Sequence, residues 1–431
     1  MRVFILTAGS RGDVQPYVAL GKGLIAAGHA ATLCTCSSFE PFITQHGIAY
    51  GYMNNDFIKL VDSEAGREAM EGGANAINLV KSMIKLMKES KSLNREMMKD
   101  AWIAAQEAEP DIIIFHPKAL AGSHIAEKLR VPAILAVPVP VLVPTGEFPA
   151  VGFPDLKLGS GFNKLSYAIL HRGYHNYDDV VNEFRQDVLG LGKYPKSTTP
   201  MQMADGSPIP VLHAYSEHVW SRPHDWPETA HVTGYWFLDR TEEWKPPKRL
   251  EIFLEAGEPP VYVGFGSMAG RDPERIANMV VKALQRARLR GIMATGWGGL
   301  SAIDLPATIY QIEKVPHDWL FPRVGAVVHH GGAGTTAAGL RAGKPSVICP
   351  FIIDQPLWGA SVHSLGAGPK PIPQKKLTVD NLTQALEEAT SNPSIRERAE
   401  QVGRKISSEN GIASAITLIE NFAKNARASS V

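Results

Sequence analysis

The 431-residue chain is long enough for two domains of ordinary size, and its 44% apolar and 20% charged residues are typical of a folded globular protein. A net charge of +1 gives no overall electrostatic attraction to nucleic acid. Cys34, Cys36 and Cys349 form no disulfide framework, which indicates a reducing compartment. The opening MRVFILTAG is not typical of a signal peptide, and prolines interrupt the longest apolar run, 131–143. We therefore expect a cytoplasmic protein.

The chain opens with a strand, a glycine-containing turn, a helix and a second strand, the order of a Rossmann-like unit. The pattern predicts strands at Arg2–Thr7 and His29–Thr35, with a helix at Tyr17–Ala27 between them. The turn lacks the full dinucleotide glycine fingerprint, and no acidic residue ends the second strand, which argues against NAD. Asp13 has two interpretations of equal weight: a helix N-cap, or a carboxylate where ligands bind in open α/β sheets.

A long helix is predicted over Ala74–Ala105, with apolar residues at helical spacing on one side and lysines on the other. The favoured interpretation of its charged side is a solvated face. The alternative is a helix beside an acceptor site that touches an anionic membrane surface with its Lys81–Lys91 segment. In that case Met83 and Met87 give the acceptor site a pliable apolar wall, although they equally fit an ordinary core.

Three further residues of the first half are candidates for contact with an acceptor. His116 follows the strand-like run 111–115, where it could orient an acceptor, although an isolated histidine is more often structural. The irregular segment 146–160 is typical of a loop that covers a site. Phe148 and Phe153 in that loop are candidates to contact an apolar acceptor.

The charged segment 239–258, which carries a Pro–Pro pair near mid-chain, is predicted to be the linker between two domains. After it, the pattern of strand, glycine-bearing turn and helix restarts at Val261. Two Rossmann-like domains that face each other across a cleft therefore account for the chain. We place the first domain at residues 1–238, the second at 259–405, and a C-terminal helix that packs back on the first domain at 406–431.

The stretch His329–Gly359 is the most informative part of the second half. An apolar strand-like run leads through three glycines into a helix-like segment, Thr335–Ala342. Glycines let a ligand approach the backbone, and the free N–H groups at a helix start attract an anion. We therefore predict that a diphosphate binds at Gly332–Thr335, with Asp354 and Gln355 reaching polar groups beyond it.

Three motifs in the right order resemble the GT-B glycosyltransferases, specifically the branch of sterol glucosyltransferases and of glycosyltransferases in bacterial antibiotic synthesis. Gly9–Pro16 (GSRGDVQP) resembles the acceptor-side motif of that branch, and Val315–Phe321 (VPHDWLF) resembles the sterol enzymes in particular. The stretch His329–Gly359 resembles the nucleotide-sugar signature. The resemblance implies an α/β protein of the GT-B fold, with two facing Rossmann-like domains and a cleft between them.

The resemblance also implies roles for particular residues. It makes Asp13 the general base, which favours the functional interpretation of this carboxylate over the cap. It implies that His330 and the backbone N–H groups of residues 333–335 hold the donor diphosphate, and that Asp354 and Gln355 hold the hydroxyls of glucose. The predicted donor contacts are Ser267, Val315, His330, Gly332, Ala333, Gly334, Thr335, Asp354 and Gln355. The candidate acceptor contacts are Arg11, Met83, Met87, His116, Phe148 and Phe153.

The chain departs from the plant members of the family at two points. Their signature begins with a Trp that stacks on uracil, whereas Lys314 and Val315 stand near that position here, so Trp297 is the candidate for contact with the base. The plant members use a His–Asp dyad, whereas the first loop of this chain offers Asp13 and no histidine.

Together, the resemblance implies an inverting transferase that moves glucose from UDP-glucose to a hydroxyl of a lipophilic acceptor, with a sterol or steroid favoured. The alternative acceptor is a flavonoid, a polyphenol or an antibiotic aglycone, and a non-catalytic lipid- or nucleotide-sugar-binding protein is a remote alternative. We expect no metal or other cofactor, because the helix start stabilises the leaving diphosphate. We also expect a monomer without a nucleic-acid partner, and peripheral membrane contact stays open.

Overall fold

The computed structural model describes residues 1–56, 76–239, 244–265, 273–295 and 305–429, and it describes their side chains except at 76–88, 273 and 427–429. The chain divides into two compact units. Unit 1 comprises Met1–Glu217, Arg222–Leu238 and Asn410–Val431. Unit 2 comprises His218–Ser221 and Asp239–Glu409. Each unit contains a parallel sheet with helices, which confirms the predicted α/β class.

Unit 1 is built on a seven-stranded parallel sheet whose strands are β1 (Arg2–Leu6), β2 (Ala30–Cys36), β3 (Ala49–Met53), β4 (Ile112–Phe115), β5 (Ala133–Val137), β6 (Val211–His213) and β7 (Ala230–Val232). Its helices include α1 (Arg11–Ala26), α2 (Glu40–Thr44), α3 (Ala76–Ala108), α4 (Gly122–Leu129), α5 (Ser160–Tyr174) and α6 (Asp178–Glu183). The strand order is β3-β2-β1-β4-β5-β6-β7. The chain therefore reverses direction across the sheet between β1 and β4, where Leu6 lies opposite Phe115. Such a switch point is where open α/β sheets bind ligands.

Helix α1 begins at Arg11, earlier than the predicted start at Tyr17. Ser10 is its N-cap, and Asp13 occupies the third helical position. The backbone N–H and the hydroxyl of Ser10 donate to Asp13 Oδ2 at 2.8 and 3.1 Å. The interpretation of Asp13 as the N-cap is therefore wrong, because the serine three residues earlier takes that position and the carboxylate bonds back to it.

The helix predicted over Ala74–Ala105 is α3, and the side chains of its first part, residues 76–88, lie outside the described residues. Met83, Met87 and most of the basic Lys81–Lys91 segment fall there. Neither α3 nor any other helix in the described part of the chain is long and apolar enough to cross a membrane.

Unit 2 is built on a five-stranded parallel sheet of β8 (Val261–Gly264), β9 (Gly291–Ala294), β10 (Ile309–Ile312), β11 (Ala326–His329) and β12 (Ser346–Ile348). Its helices include α7 (Lys248–Glu255), α8 (Pro273–Arg286), α9 (His317–Leu320), α10 (Ala333–Arg341), α11 (Gln355–Ser364), α12 (Val379–Ser391) and α13 (Pro393–Ser407). The strand order β10-β9-β8-β11-β12 repeats that of the first five strands of unit 1. The switch point here lies between β8 and β11, where Gly264 lies opposite His329.

The predicted linker, residues 239–258, contains helix α7 and belongs to unit 2. Leu250 on this helix is buried in an apolar cluster with Tyr262 and Trp319. The Pro–Pro pair and the many charges led to the prediction of a linker, although apolar residues recur at helical spacing along α7.

The C-terminal helix α14 (Gly411–Ser429) belongs to unit 1 and packs against α1. Its Ala415, Ile419 and Ala423 are buried in the same core as residues of β1 and α1. The ring Nε2 of His29 lies 3.0 Å from a carboxylate oxygen of Glu420. The chain thus returns from unit 2 to complete the core of unit 1.

Ile419→Ala should lower the free energy of unfolding by about 2–5 kcal/mol, because it removes a fully buried side chain between α14 and α1. Urea denaturation of the full chain measures this change, with the exposed Lys424→Ala on the same helix as the control. Equal stability of the two variants would show that α14 is not part of this core.

Candidate functional site

The carboxyl ends of β1 and β4 carry a cluster of three polar side chains at the switch point of unit 1. Lys118 Nζ donates to Asp13 Oδ1 at 2.7 Å. His116 Nε2 lies 3.7 Å from the same oxygen, beyond the length of a hydrogen bond. The Asp13 side chain is 16% exposed and that of Lys118 is 49% exposed. Ser10 thus binds Oδ2 of Asp13, and the half-exposed Lys118 binds Oδ1.

Gly9 makes room for this carboxylate. Its φ is +131°, and a Cβ at Gly9 would lie 2.3 Å from Asp13 Oδ2. A side chain at Gly9 would therefore displace the carboxylate and strain the backbone. The first glycine of the GSRGDVQP motif is explained by the position of Asp13.

Opposing influences set the pKa values in this cluster. Burial raises the pKa of the Asp13 carboxyl, but the Lys118 ammonium and the hydrogen bonds from Lys118 and Ser10 bring the pKa below its ordinary value. Burial lowers the pKa of His116 to about 4, so its ring is neutral at pH 7. The backbone N–H of Lys118 donates to His116 Nδ1 at 3.1 Å. The ring proton is therefore on Nε2, the nitrogen nearer Asp13.

A narrow cavity adjoins the cluster. Its lining combines Lys118 with apolar side chains, among them Leu6, Met53, Met97 and Met98. Both α3 methionines are buried. The described part of α3 thus places flexible apolar side chains next to the lysine that contacts Asp13.

The signature loop of unit 2 follows β11 and is bent at Gly331. The backbone N–H of Gly331 donates to His329 Nδ1 at 3.0 Å, and the φ of Gly331 is +92°. A Cβ here would lie 2.7 Å from Ile348 Cγ2 and 3.1 Å from the carbonyl oxygen of Gln355. Glycine therefore permits both the turn and the close packing of this loop against the start of α11, which carries Asp354 and Gln355.

Helix α10 begins at Ala333 with Gly332 as its N-cap, two residues before the predicted start. The backbone N–H of Thr336 donates to the carbonyl of Gly332 at 2.9 Å. The N–H groups of residues 333–335 therefore precede the first hydrogen bond of the helix and have no acceptor within it. Together with the positive end of the helix dipole, they form a set of donors suited to an anion.

The ring of His330 packs beside this helix start. A Cβ at Gly332 would lie 2.6 Å from His330 Nε2, so the ring contacts the backbone of the N-cap. His330 Nδ1 is buried and makes no hydrogen bond to any described residue. Burial lowers the pKa of His330 to about 4, so the ring is neutral at pH 7 and can donate one hydrogen bond without carrying charge.

Asp354 and Gln355 each accept a hydrogen bond from a residue of their own loop or of α11. Trp358 Nε1 donates to Asp354 Oδ2 at 2.9 Å. The backbone N–H of Phe351 donates to Gln355 Oε1 at 2.7 Å, so the Nε2 amide is the end of Gln355 that can turn to a ligand. Ile353, just before them, is exposed and has a φ of +59°, an unusual conformation for a β-branched residue. The turn at Ile353 leads directly to Asp354.

Several predicted contacts lie outside the described residues. Ser267 and Trp297 are outside them, as are the side chains of Met83 and Met87. Val315 packs against the apolar cluster that includes Trp319 and Leu320 of α9. Among the described residues, no group of three or more His, Cys, Asp or Glu side chains is arranged to hold a metal ion.

The remaining acceptor candidates have partners or partial burial within unit 1. Arg11 Nε donates to Gln15 Oε1 at 3.0 Å, and its guanidinium lies 4.6 Å from the centre of the Phe42 ring. Phe148 and Phe153 are half-buried in the loop that precedes α5. Among the predicted acceptor contacts whose side chains are described, His116 has its Nε2 3.7 Å from Asp13 Oδ1.

Two family models match the chain. The Glycosyltransferase family 28 N-terminal domain matches residues 3–144, and the Erythromycin biosynthesis protein CIII-like C-terminal domain matches residues 298–417. The sterol 3-beta-glucosyltransferase of Aspergillus clavatus is 37% identical over 441 residues, which cover 99% of this chain and 30% of that protein. The chain thus spans about a third of the length of the curated relatives it matches.

Solved structures share the fold over nearly the whole chain. The calicheamicin glycosyltransferase CalG4 superposes with a TM-score of 0.71 at 20% identity, covering 98% of both chains. The glycosyltransferase VinC in complex with dTDP superposes with a TM-score of 0.68 at 19% identity, covering 99% of this chain and all of VinC. The chain has the GT-B fold. The resemblance inferred from the three motifs is confirmed.

Two residues of this GT-B chain were missed by sequence reasoning. Lys118 contacts Asp13 from the loop after β4, and His329 braces the turn at Gly331. The signal for His329 was its place at the end of a strand, immediately before the glycines. Lys118 carried no local signal, because only the adjacency of β1 and β4 brings it to Asp13.

Proposed function

We propose that the chain transfers glucose from UDP-glucose to a hydroxyl of a sterol, with inversion at the anomeric carbon. The observation that carries this proposal is the similarity, over nearly the whole chain, to proteins named sterol 3-beta-glucosyltransferase.

The donor diphosphate is proposed to bind at the start of α10. The N–H groups of Ala333, Gly334 and Thr335 supply donors, and His330 adds one from its neutral ring. Negative charge grows on the leaving diphosphate, so donors that are already oriented stabilise the transition state more than the bound substrate. Asp354 and Gln355, which the bend at Gly331 brings against this loop, are proposed to hold the sugar hydroxyls. The complex of VinC with dTDP is in line with a nucleoside diphosphate as the leaving group.

Asp13 is proposed to take the proton of the acceptor hydroxyl. Its lowered pKa keeps it ionised at neutral pH, and Oδ1 is its oxygen toward the half-exposed Lys118. As the proton moves to Asp13, the acceptor oxygen bonds to the anomeric carbon, and the bond from that carbon to the diphosphate oxygen breaks on the opposite face. The α-linked donor therefore gives a β-glucoside. The neutral ring of His116 presents its Nε2 proton toward the carboxylate and is proposed to help position it.

The second candidate acceptor is an antibiotic or polyphenol aglycone, because the superposed solved structures include the calicheamicin glycosyltransferase. A panel of sterols, flavonoids and macrocyclic aglycones with UDP-glucose, read by product mass, separates the two. We expect a mass increase of one hexose on sterols with the highest kcat/KM. Transfer confined to the other acceptors would refute the sterol assignment, and no transfer to any acceptor would refute the enzyme assignment.

Lys118→Met should move the acid limb of the pH profile of kcat/KM to higher pH. The lysine lowers the pKa of Asp13, and the base works only when it is ionised, so removing the cation raises the pH at which activity is lost. The exposed Lys128→Met, in the same unit, is the matched control. An acid limb that stays in place in Lys118→Met would contradict either the ion pair or the role of Asp13 as the base.

A further inference from the structure

Helix α5 has apolar side chains on its outward face. Leu165 and Ile169, one turn apart, are 56% and 51% exposed. Leu156 and Leu158, in the segment that leads into the helix, are 54% and 65% exposed. These four residues are nearly half of the nine exposed large apolar side chains in the described part of the chain, and they fall within residues 156–169. We call them the α5 apolar patch.

The inward face of the same helix is polar and firmly bonded. Asn163 Nδ2 donates to the carbonyl of Gly146 at 2.8 Å, and Ser166 Oγ accepts from the backbone N–H of Ala150 at 2.7 Å. His171 Nε2 donates to the carbonyl of Leu142 at 2.8 Å. All three side chains are buried. Rotation of α5 to bury Leu165 and Ile169 would leave these polar groups without partners, so the orientation of the helix is fixed.

This arrangement reverses the usual amphipathic pattern, in which the apolar face of a surface helix turns to the core. Single exposed leucines are common on protein surfaces, but four exposed large apolar side chains within one helix and the segment that leads into it mark a surface that meets an apolar environment. The hydrogen bonds of α5 keep the α5 apolar patch on the surface of the described residues. A partner that buries the patch must therefore lie outside the described part of the chain.

The charges around the patch favour an anionic partner. Between residues 153 and 173 the chain has three cations, Lys157, Lys164 and Arg172, and one acid, Asp155. All three cations are exposed; Lys157 lies 2.6 Å from Asp155, and Lys164 lies 3.6 Å from Asp225. An outward apolar face flanked by cations is the composition of helices that lie in the headgroup region of anionic bilayers.

A second copy of the chain fits this surface less well. Two copies meeting through the patch would bring like charges together. Four partly exposed side chains also offer roughly a few hundred Å², below the roughly 800 Å² per partner of a stable interface.

We propose that the α5 apolar patch docks the protein on the surface of an anionic lipid bilayer, with α5 lying parallel to the membrane. The four apolar side chains enter the boundary between headgroups and acyl chains, and the flanking cations contact lipid phosphates. This inference is independent of the proposed glucosyl transfer. It also differs from the hypothesis of membrane contact through Lys81–Lys91, because it rests on described side chains of another helix.

Flotation of the full chain with vesicles tests the proposal. The vesicles contain phosphatidylcholine with about 30 mol% phosphatidylserine, and no sterol or UDP-glucose is present, so the result does not depend on catalysis. We expect the protein to float with these vesicles, and less of it to float at high salt because the cations are screened. The double substitution Leu165→Gln with Ile169→Gln should lower the partition coefficient at least about tenfold, because two apolar side chains no longer enter the bilayer.

Ile103→Gln is the matched control, since Ile103 is 55% exposed on α3 of the same unit and lies outside the patch. It should float like the unsubstituted chain, and all variants should keep the same thermal unfolding midpoint. The proposal is overturned if the unsubstituted chain stays in the soluble fraction. It is also overturned if the double variant floats with the vesicles to the same extent as the unsubstituted chain. A dimer of the unsubstituted chain that the double variant abolishes, without vesicle binding, would assign the patch to self-association instead.

Discussion

Asp13→Asn should lower kcat for glucosyl transfer by about 10²–10⁴-fold, the usual contribution of a positioned general base, while UDP affinity stays within about twofold. Asparagine has nearly the same shape as aspartate and can still accept from Ser10, so α1 should begin at the same residue. It cannot take a proton from the acceptor hydroxyl. The loss should therefore fall on the chemical step, and rates of product formation together with calorimetric UDP binding measure the two effects separately.

The matched control for that variant is Asp205→Asn, the same substitution on an exposed loop of unit 1. It should leave kcat unchanged. If Asp13→Asn kept full turnover, the proton would have to go elsewhere, and the assignment of the base would be wrong.

His330→Ala should weaken UDP binding and lower kcat/KM together, by about 10²–10³-fold in rate if His330 acts as one donor to the leaving diphosphate. Its Nδ1 is buried without a partner among the described residues, and its ring contacts the N-cap of the helix proposed to hold the phosphates. A group in that position should act on donor binding and on departure of the diphosphate, and hardly at all on the KM for the acceptor.

The control is His363→Ala, an exposed histidine near the end of α11 in the same unit. Calorimetry with UDP and steady-state rates with varied UDP-glucose provide the comparison. A donor KM and a rate that both match those of the control would refute the proposed contact of His330 with the diphosphate.

Local patterns predicted the strands of both sheets best where the chain is most apolar. β1, β4 and β11 are fully buried or nearly so, and in a parallel sheet covered on both faces such strands appear as short apolar runs. The start of α1 was predicted too late, because Gly12 and Pro16 have the composition of a loop. The bonds between Ser10 and Asp13 begin the helix regardless of that composition.

Contacts between distant segments were beyond local patterns. His116 was treated as an isolated histidine, and the loop after β1 was described as lacking a histidine partner for Asp13. The strand order places β4 beside β1, so that His116 and Lys118 reach Asp13 from more than one hundred positions away. The spacing of residues along the chain does not predict that β1 and β4 are neighbours, because the strand order depends on tertiary packing.

The orientation of α5 also depends on contacts that local sequence patterns do not predict. The usual amphipathic pattern would turn the face of Leu165 and Ile169 toward the core, which is the opposite of the observed orientation. Hydrogen bonds to Leu142, Gly146 and Ala150 decide which face is buried, and these partners come from an irregular loop that local patterns do not place.

The most direct test of the proposed function is to mix the full chain with UDP-glucose and a 3β-hydroxysterol. Released UDP is quantified, and NMR gives the anomeric configuration of the product. We predict one β-glucoside formed for each UDP released, because the acceptor oxygen attacks opposite the diphosphate. An α-glucoside, or UDP release without a new bond between sugar and sterol, would contradict the proposed mechanism.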